Sequence, residues 1–177
     1  LLTKAGAGRV TLASDYAHTG GTHVESGTLA LDNRAAALSG GGAVTVDEGA
    51  TLGGYGKIVG NVTSRGTVSA GDAITSLTGG AGNLTIQGDL DNYNTVNLAG
   101  NSVGNTLTVT GNYTAHSTLV LNTVLGGDNS KTDKLVVQGD TSGHTDVYVN
   151  NKGGTGAQTV NGIRVIEVDG ASNGDFT

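Results

Sequence analysis

Short stretches in which apolar and polar residues alternate recur along this chain, and turns rich in glycine, asparagine and aspartate separate them. Three of these stretches are Thr67–Ala70, Thr95–Leu98 and Thr118–Leu121. A period of two residues places the apolar side chains on one face of a β-strand, and no segment shows the 3.6-residue spacing of an amphipathic helix. The pattern therefore predicts an all-β protein built of short strands that each bury one face.

These strands and turns repeat at a nearly constant interval. Gly60, Gly88, Gly111 and Gly139 are 28, 23 and 28 residues apart, and each precedes an asparagine or an aspartate. A second strand begins seven residues after each of the first three glycines, whereas the strand around Thr145 is expected to lie about one residue out of register. Repeats of roughly 20–30 residues made of short strands are typical of a β-solenoid, in which each turn of the coil is stabilised by its neighbours.

The N-terminal third carries a repeat of its own. Val24–Leu29 recurs as Val46–Leu52, with an offset of 22 residues at the valine and 23 at the leucine. We therefore predict two segments of one continuous solenoid, with N-terminal rungs over residues 1–56 and further rungs with a C-terminal cap over residues 57–177.

Three insertions are predicted at the turns, over residues 71–82, 126–133 and 150–161. These inserted turns are where a solenoid would carry recognition. The regular coil is expected to end near residue 150, and residues 163–168 are predicted to form a final strand.

The composition narrows the kind of core. The chain has 177 residues, with 32 glycines, no proline, no cysteine, no tryptophan, five tyrosines and one phenylalanine. A core without large aromatics must be narrow and filled by Val, Leu, Ile and Ala, and a chain without cysteine has no disulfide. No apolar run approaches the length of about 20 residues that a membrane-spanning helix needs. Because the sequence begins at Leu1 and contains no methionine, we expect it to be part of a longer polypeptide.

The charge and the scattered histidines point away from several functions. The net charge is −6 with nine Lys and Arg residues spread singly, so nucleic acid is not an expected partner. His18, His23, His116 and His144 fall at unrelated places in the repeat, and no metal site is predicted because zinc needs convergent ligands. No Gly-x-Ser-x-Gly motif or complete phosphate-binding loop appears. No catalytic residue and no cofactor site are therefore predicted.

One polar column has two interpretations. Asn61, Asp89, Asn112 and Asp140 each follow one of the repeated glycines. Stacked carboxylates are able to bind calcium, whereas asparagine and aspartate after glycine also satisfy turn hydrogen bonds and stack into a side-chain ladder. We favour the ladder, because alternating Asn with Asp lowers the repulsion that a metal would otherwise offset. A polysaccharide lyase on a β-helix would need bases beside these acids, and none accompanies them.

Two regions of the chain resemble the passenger domains of Gram-negative autotransporters of the pertactin and diffuse-adhesin type. The first, over residues 8–31, resembles the repeat found near the C-terminal end of many such passengers. It contains Val10-Thr11-Leu12, Tyr16, Thr19-Gly20-Gly21-Thr22 and Val24-x-x-Gly27-Thr28-Leu29. The second, over residues 126–176, resembles the segment that precedes the linker and the translocator barrel. It contains Asp133-Lys134-Leu135-Val136-Val137, Gly156-Ala157-Gln158-Thr159 and Asn161-Gly162-Ile163-x-Val165-Ile166-Glu167-Val168.

The resemblance implies a right-handed parallel β-helix, a single-stranded solenoid with an irregular or hairpin C-terminal cap. In that family this C-terminal part is called the autochaperone region; it emerges first from the barrel, folds outside the cell and templates the rungs N-terminal to it. The implied location is the bacterial cell surface or outer membrane after export through the periplasm, or the medium after release. The implied partners are the chain's own passenger rungs and the translocator β-barrel of the same polypeptide.

We therefore expect a stem and autochaperone segment that is not an enzyme. The alternative hypothesis is an adhesin or host-factor-binding module, acting in self-association, cell adhesion or actin-based motility. In that case a host surface or a cytoskeletal-assembly protein would be the partner of the full passenger.

Overall fold

Twenty short strands and one turn of 3-10 helix make up the regular structure of the chain. The computed structural model describes residues 1–177. The strands are β1 (Leu2–Lys4), β2 (Arg9–Leu12), β3 (Asp15–Tyr16), β4 (Thr22–Val24), β5 (Thr28–Leu31), β6 (Ala37–Leu38), β7 (Val44–Val46), β8 (Thr51–Gly54), β9 (Gly56–Val59), β10 (Val62–Ser64), β11 (Thr67–Ala70), β12 (Asn83–Gln87), β13 (Leu90–Asn92), β14 (Thr95–Asn97), β15 (Thr106–Val109), β16 (Tyr113–Thr123), β17 (Lys134–Val137), β18 (Thr141–Asn151), β19 (Ile166–Val168) and β20 (Asp175–Phe176).

The strands stack into a parallel β-helix with three faces. The first face contains β1, β4, β7, β10, β13, the N-terminal halves of β16 and β18, and β20; the second contains β2, β5, β8, β11, β14 and the C-terminal halves of β16 and β18. The third face is a separate sheet of β3, β6, β9, β12, β15, β17 and β19. Each turn of the chain through the three faces is one rung, and every paired strand lies parallel to a strand of the next rung. The predicted all-β parallel solenoid is confirmed.

The register follows the repeat read from the sequence. Val24 pairs with Val46, and Thr67 pairs with Thr95, which in turn pairs with Thr118. One expectation was wrong: the strand around residue 145 is not out of register. Asp146 pairs with Thr118 and continues that column, so the rung after Gly139 keeps the seven-residue spacing. The sequence suggests a displaced strand in this rung because an aspartate, Asp146, occupies the position that is threonine in the preceding rungs.

The core is a narrow column inside the coil. Its main cluster holds 27 buried residues, and all but one of them are Leu, Val, Ile or Ala, as the composition predicted. The exception is Tyr113, which is fully buried and whose ring lies 6.4 Å from that of Phe176 with the planes 15° apart. The Tyr113 hydroxyl lies 3.2 Å from Ser117 Oγ, so the one large polar group of the core has a partner. Phe176 therefore closes the C-terminal end of the column.

The first predicted insertion, over residues 71–82, packs onto the outside of the coil. Gly71–Ala73 forms the 3-10 helix, and the residues after it turn inward. Ile74 and Leu77 pack with Ala30 and Tyr55 as a small second cluster on the outside of the second face. Apolar side chains in the segment cover Ala30, so this insertion is largely a packing element. Helix is confined to that single turn, and the structure has no helix whose length and apolar character suit a membrane crossing.

The coil continues further toward the C-terminus than predicted. β18 runs through Asn151, so the last insert begins two residues later than expected, and the irregular segment that follows covers residues 152–165. The strand predicted at residues 163–168 is β19, which is shorter, and it is not the last. β20 returns to the first face, where Asp175 pairs with His144 and Phe176 with Thr145. The cap is irregular, with no hairpin: a partial rung extends the parallel stack.

Candidate functional site

The polar column at the corner between the third and first faces forms a chain of side-chain to backbone hydrogen bonds. Asn61 Oδ1 accepts the backbone N–H of Asp89 at 2.9 Å, and Asp89 Oδ1 accepts that of Asn112 at 2.7 Å. Asn112 Oδ1 in turn accepts the N–H of Asp140 at 2.9 Å, and Asp140 Oδ1 accepts that of Ala171 at 2.7 Å. The predicted side-chain ladder is confirmed, and we call these four side chains the Asx ladder.

A second bond completes each step of the Asx ladder. The residue after the ladder side chain donates its N–H to the carbonyl of the ladder residue one rung further on. These bonds are Val62 to Asp89, Leu90 to Asn112, Tyr113 to Asp140 and Thr141 to Ala171, at 2.9, 2.9, 2.9 and 3.0 Å. Asp89, Asn112 and Asp140 are thus each held at both the N–H and the C=O by the rung that precedes them in sequence.

The glycine before each ladder residue leaves room for this arrangement. A Cβ built on Gly139 would lie 2.5 Å from Asn112 Oδ1, and one on Gly88 would lie 2.8 Å from Asn61 Oδ1. Both distances are shorter than any real contact of a Cβ atom. The Gly-Asx pairs of the sequence are therefore complementary across rungs: the side chain of one rung occupies the space over the glycine of the next.

A buried polar network lies at the corner between the second and third faces. Asp133 Oδ1 accepts the N–H groups of Gly104 and Asn105, both at 2.9 Å, and its Oδ2 accepts the N–H of Asn122 at 2.6 Å. The Asn105 side chain donates to Asp72 Oδ1 at 2.8 Å. Asp72, Asn105 and Asp133 are all buried, and together they tie three rungs to one another.

Burial raises the pKa of Asp133 above its ordinary value. The three backbone N–H groups lower this pKa, and the nearby charge of Asp72 raises it, but loss of solvent is the largest effect. A carboxyl whose pKa is raised in the folded state binds its proton more readily there than in the unfolded chain. Its contribution to stability therefore decreases as the pH rises from the unfolded pKa through the folded one.

The terminal strand β20 is held to the coil by a histidine between two carboxylates. His144 Nδ1 lies 2.9 Å from Asp175 Oδ2, and His144 Nε2 lies 2.9 Å from Asp146 Oδ1. Hydrogen bonds that His144 donates to the carboxylates of Asp146 and then Asp175 raise the pKa of His144. The protonated ring donates from both nitrogens, so it bridges β18 and β20 where Phe176 closes the core.

The four histidines differ in their contacts. His18 Nε2 bonds to the Gly21 carbonyl at 2.9 Å, and His23 Nε2 lies 2.8 Å from Asp47. The prediction that the histidines occupy unrelated places was wrong for two of them, because His116 and His144 are register partners on β16 and β18. No three His, Asp or Glu side chains are grouped so that they would hold a metal ion.

The two remaining inserts, residues 124–133 and 152–165, are joined by one carboxylate. Asp128 accepts the backbone N–H groups of Val160, Asn161 and Gly162 at 3.0, 3.2 and 3.1 Å. Gly156 also donates its N–H to the Leu125 carbonyl at 2.8 Å. The inserts therefore form one connected surface beside the C-terminal rungs.

Several of these residues escaped the sequence analysis, although part of the signal was present. His116 and His144 each lie five residues after their repeated glycine, and Asn105 and Asp133 each lie one residue before a third-face strand. Aligning the repeats beyond the Gly-Asx turn would have found them. No pattern marks Asp128, because its partners are backbone amides in another insert.

Two family models match the sequence. The model described as Autochaperone Domain Type 1 matches residues 81–177, which include three of the four Asx-ladder residues, the buried Asp133 and His144. The model described as Passenger-associated-transport-repeat matches residues 2–31, the first rungs of the coil.

Curated proteins also show similarity over much of the chain. An uncharacterized protein YuaQ of Escherichia coli K12 is 38% identical over 176 residues, covering 98% of this chain and 11% of that protein. The adhesin BmaC autotransporter of Brucella suis is 37% identical over 184 residues, covering 98% of this chain and 4% of the adhesin. The autotransporter adhesin AIDA-I of Escherichia coli is 51% identical over 78 residues, covering 43% of this chain and 6% of that protein. The chain thus spans only a small part of the length of these relatives.

The fit between glycine and ladder predicts unequal effects of two glycine substitutions. Gly139→Ala places a Cβ within 2.5 Å of both the Gly111 carbonyl oxygen and Asn112 Oδ1, so we expect a loss of about 1–3 kcal/mol in the free energy of unfolding. Gly127→Ala is the matched control, because nothing lies within 4 Å of its Cβ position, and we expect a change within about 0.5 kcal/mol. Urea denaturation measures both, and equal losses would contradict the proposed fit.

The raised pKa of His144 predicts a pH-dependent contribution to stability. A histidine whose pKa is higher in the folded state stabilises the fold fully below its unfolded pKa of about 6.5, and this contribution is lost as the pH rises through the folded pKa. Glutamine keeps the size but not the charge. The difference in stability between the parent and His144→Gln should therefore be largest in acid and should shrink toward alkaline pH.

His116→Gln serves as the control for that measurement. His116 stacks near Tyr93, with ring centroids 6.3 Å apart, and contacts no carboxylate. Chemical denaturation at a series of pH values should show no comparable trend for this variant. A difference for His144→Gln that stays constant with pH would show that charge plays no part in holding β20.

Proposed function

The chain belongs to the family of the type 1 autochaperone domain, and on this premise we propose that its C-terminal rungs fold first and template the rungs N-terminal to them. The function is that of a stem and autochaperone segment of an autotransporter passenger, which promotes folding of the passenger and its movement across the outer membrane.

The pairing of β16 with β18 is the observation that carries the proposal. These strands pair over eleven consecutive residues, from Tyr113 with Thr141 to Thr123 with Asn151. On the first and second faces of the N-terminal rungs, the paired stretches are only three or four residues long, as between β1 and β4 or β2 and β5. The long ladder spans two faces without a break, so the last two full rungs hold the largest continuous set of hydrogen bonds.

The same end of the coil carries most of its side-chain bonds between rungs. Asp133, Asp140 and His144 each bond to backbone or side chains of another rung. A unit with its polar groups satisfied in this way persists better alone than a rung of two- to four-residue strands. Each later rung then pairs with a finished edge and needs no new nucleation step.

The proposed setting follows from the family. The chain acts at the bacterial cell surface or outer membrane after export through the periplasm, and its partners are its own passenger rungs and the translocator β-barrel of the same polypeptide. The absence of cysteine suits this route, because no disulfide has to form or open in transit. The role is structural and not enzymatic, in keeping with the adhesin names of two relatives.

Two buried leucines test the order of folding. Leu135 lies on β17 and Leu52 on β8, and both are 0% exposed, so each change to alanine should cost about 2–5 kcal/mol. If the C-terminal rungs fold first, Leu135→Ala slows refolding about tenfold or more, whereas Leu52→Ala mainly accelerates unfolding. Stopped-flow refolding and unfolding of the 177-residue chain measure both rates.

The parallel experiment uses the full-length surface protein. Leu135→Ala should reduce the protease-resistant passenger at the cell surface more strongly than Leu52→Ala does. The proposal would fail if Leu52→Ala slowed refolding and lowered surface display as much as Leu135→Ala.

The alternative function is adhesion by this segment itself, which the adhesin names of BmaC and AIDA-I favour. The connected inserts around Asp128 would be the binding surface. Beads that carry the chain should then bind host cells saturably, and Asp128→Ala, which frees residues 160–162, should weaken binding several-fold. Asp91→Ala, on the first face outside the inserts, is the control. Absence of saturable binding by the parent chain rules this function out.

A further inference from the structure

We propose that Asn61, Asp89, Asn112 and Asp140 are positioning residues that set the register of each rung as it adds to the rung C-terminal to it. The inference rests on the proposed function, because it names the groups by which the template is recognised.

The need for such residues arises from the periodicity of the strands. A slip of one residue turns every side chain to the opposite face, and the buried core strongly opposes it. A slip of two residues keeps every apolar side chain facing inward, so the core discriminates against it only weakly. Only an interaction confined to one position per rung distinguishes the correct register from this second error.

The Asx ladder is confined in this way. Asp89 lies above Gly111 and accepts the N–H of Asn112. After a slip of two residues, the Asp89 side chain would meet Val109 or Tyr113 in place of the glycine. The bond and the space for the side chain are therefore lost together.

The bonds also have a direction that fits growth from the C-terminal end. A finished rung presents the N–H and the C=O of its ladder residue in fixed positions. The incoming rung supplies the two matching groups: a side-chain oxygen, as from Asn112 to the Asp140 N–H, and a backbone N–H, as from Tyr113 to the Asp140 carbonyl. The mobile side chain thus belongs to the rung that is being placed, and the rigid donor belongs to the template.

The ends of the ladder agree with this order. Ala171 follows Asp140 in the column, and it offers its backbone groups to Asp140 and Thr141 but has no side-chain acceptor of its own. The equivalent residue above Asn61 is Ala43, since Val44 donates to the Asn61 carbonyl. The ladder's side-chain hydrogen bonds therefore begin with Asp140, which bonds to Ala171, and end with Asn61.

Because the chain has no cysteine, introduced cysteines report the register directly. The test protein is the 177-residue chain carrying Asp91→Cys, Thr114→Cys and His116→Cys. Residues 91 and 114 are register partners on β13 and β16, close enough for a disulfide. Residues 91 and 116 are offset by two positions, roughly 8 Å apart, which a disulfide does not span in the native register.

The chain is unfolded, allowed to refold under oxidising conditions and mapped by peptide mass spectrometry. In the parent background, the 91–114 link should dominate. Asp89→Ala should raise the ratio of the 91–116 link to the 91–114 link about tenfold, the factor expected when a hydrogen bond to a charged acceptor is lost. Asp89→Asn keeps an acceptor oxygen and should restore the parent ratio. Asn61→Ala removes the bond one rung away and should leave the ratio unchanged.

The outcomes separate this inference from the proposed function. Pulse-labelling hydrogen exchange on the same chain reports whether amides of β17 become protected before those of β9. If β17 is protected first but Asp89→Ala leaves the link ratio unchanged, the Asx ladder is merely structural and the inference is overturned. If the ratio changes but β17 is not protected first, the ladder sets register and the proposed folding order is wrong.

Discussion

The strands of this coil pair with strands of the rungs above and below, and no strand pairs with another strand of its own rung. A single rung therefore leaves its backbone groups unpaired and its apolar face open, and it cannot be stable alone. The stability of the coil therefore depends on how one rung meets the next. The core column supplies the burial, but its Leu, Val, Ile and Ala side chains are nearly interchangeable from rung to rung. The register of each rung must therefore be set by residues outside the core.

The corners between the faces provide that specification, and they differ in chemistry. The third-to-first corner is exposed and carries the Asx ladder, in which neutral and charged acceptors alternate. The second-to-third corner buries Asp72, Asn105 and Asp133, where an orphaned partner would be costly because solvent is excluded. The first-to-second corner holds His144 between two carboxylates, which raise the pKa of its ring. The carboxyl of Asp133 and the ring of His144 both favour the fold more strongly as the pH falls.

Most of the fold was predictable because a solenoid repeats its signal. Alternating apolar residues predicted the strands, the offsets of 22 and 23 residues from Val24 and Leu29 to their counterparts predicted the period, and the Gly-Asx turns predicted the ladder. What the sequence did not reveal lies where a single residue breaks the repeat. Asp146 occupies a position that is threonine in the neighbouring rungs, so the sequence pattern there does not show that the strand is in register. Ile74 and Leu77 look like part of a loop, but they cover Ala30 on the outside of the coil. The contact of Asp128 with residues 160–162 joins two inserts through backbone amides, which no side-chain pattern records.

Ala171 gives the coil a polarity that bears on how such proteins evolve. Alanine has no side-chain acceptor, so the side-chain hydrogen bonds described here start at Asp140 and extend rung by rung toward the N-terminal side. A duplicated rung that carries a Gly-Asx turn would therefore continue the ladder on that side without any change to the rungs C-terminal to it.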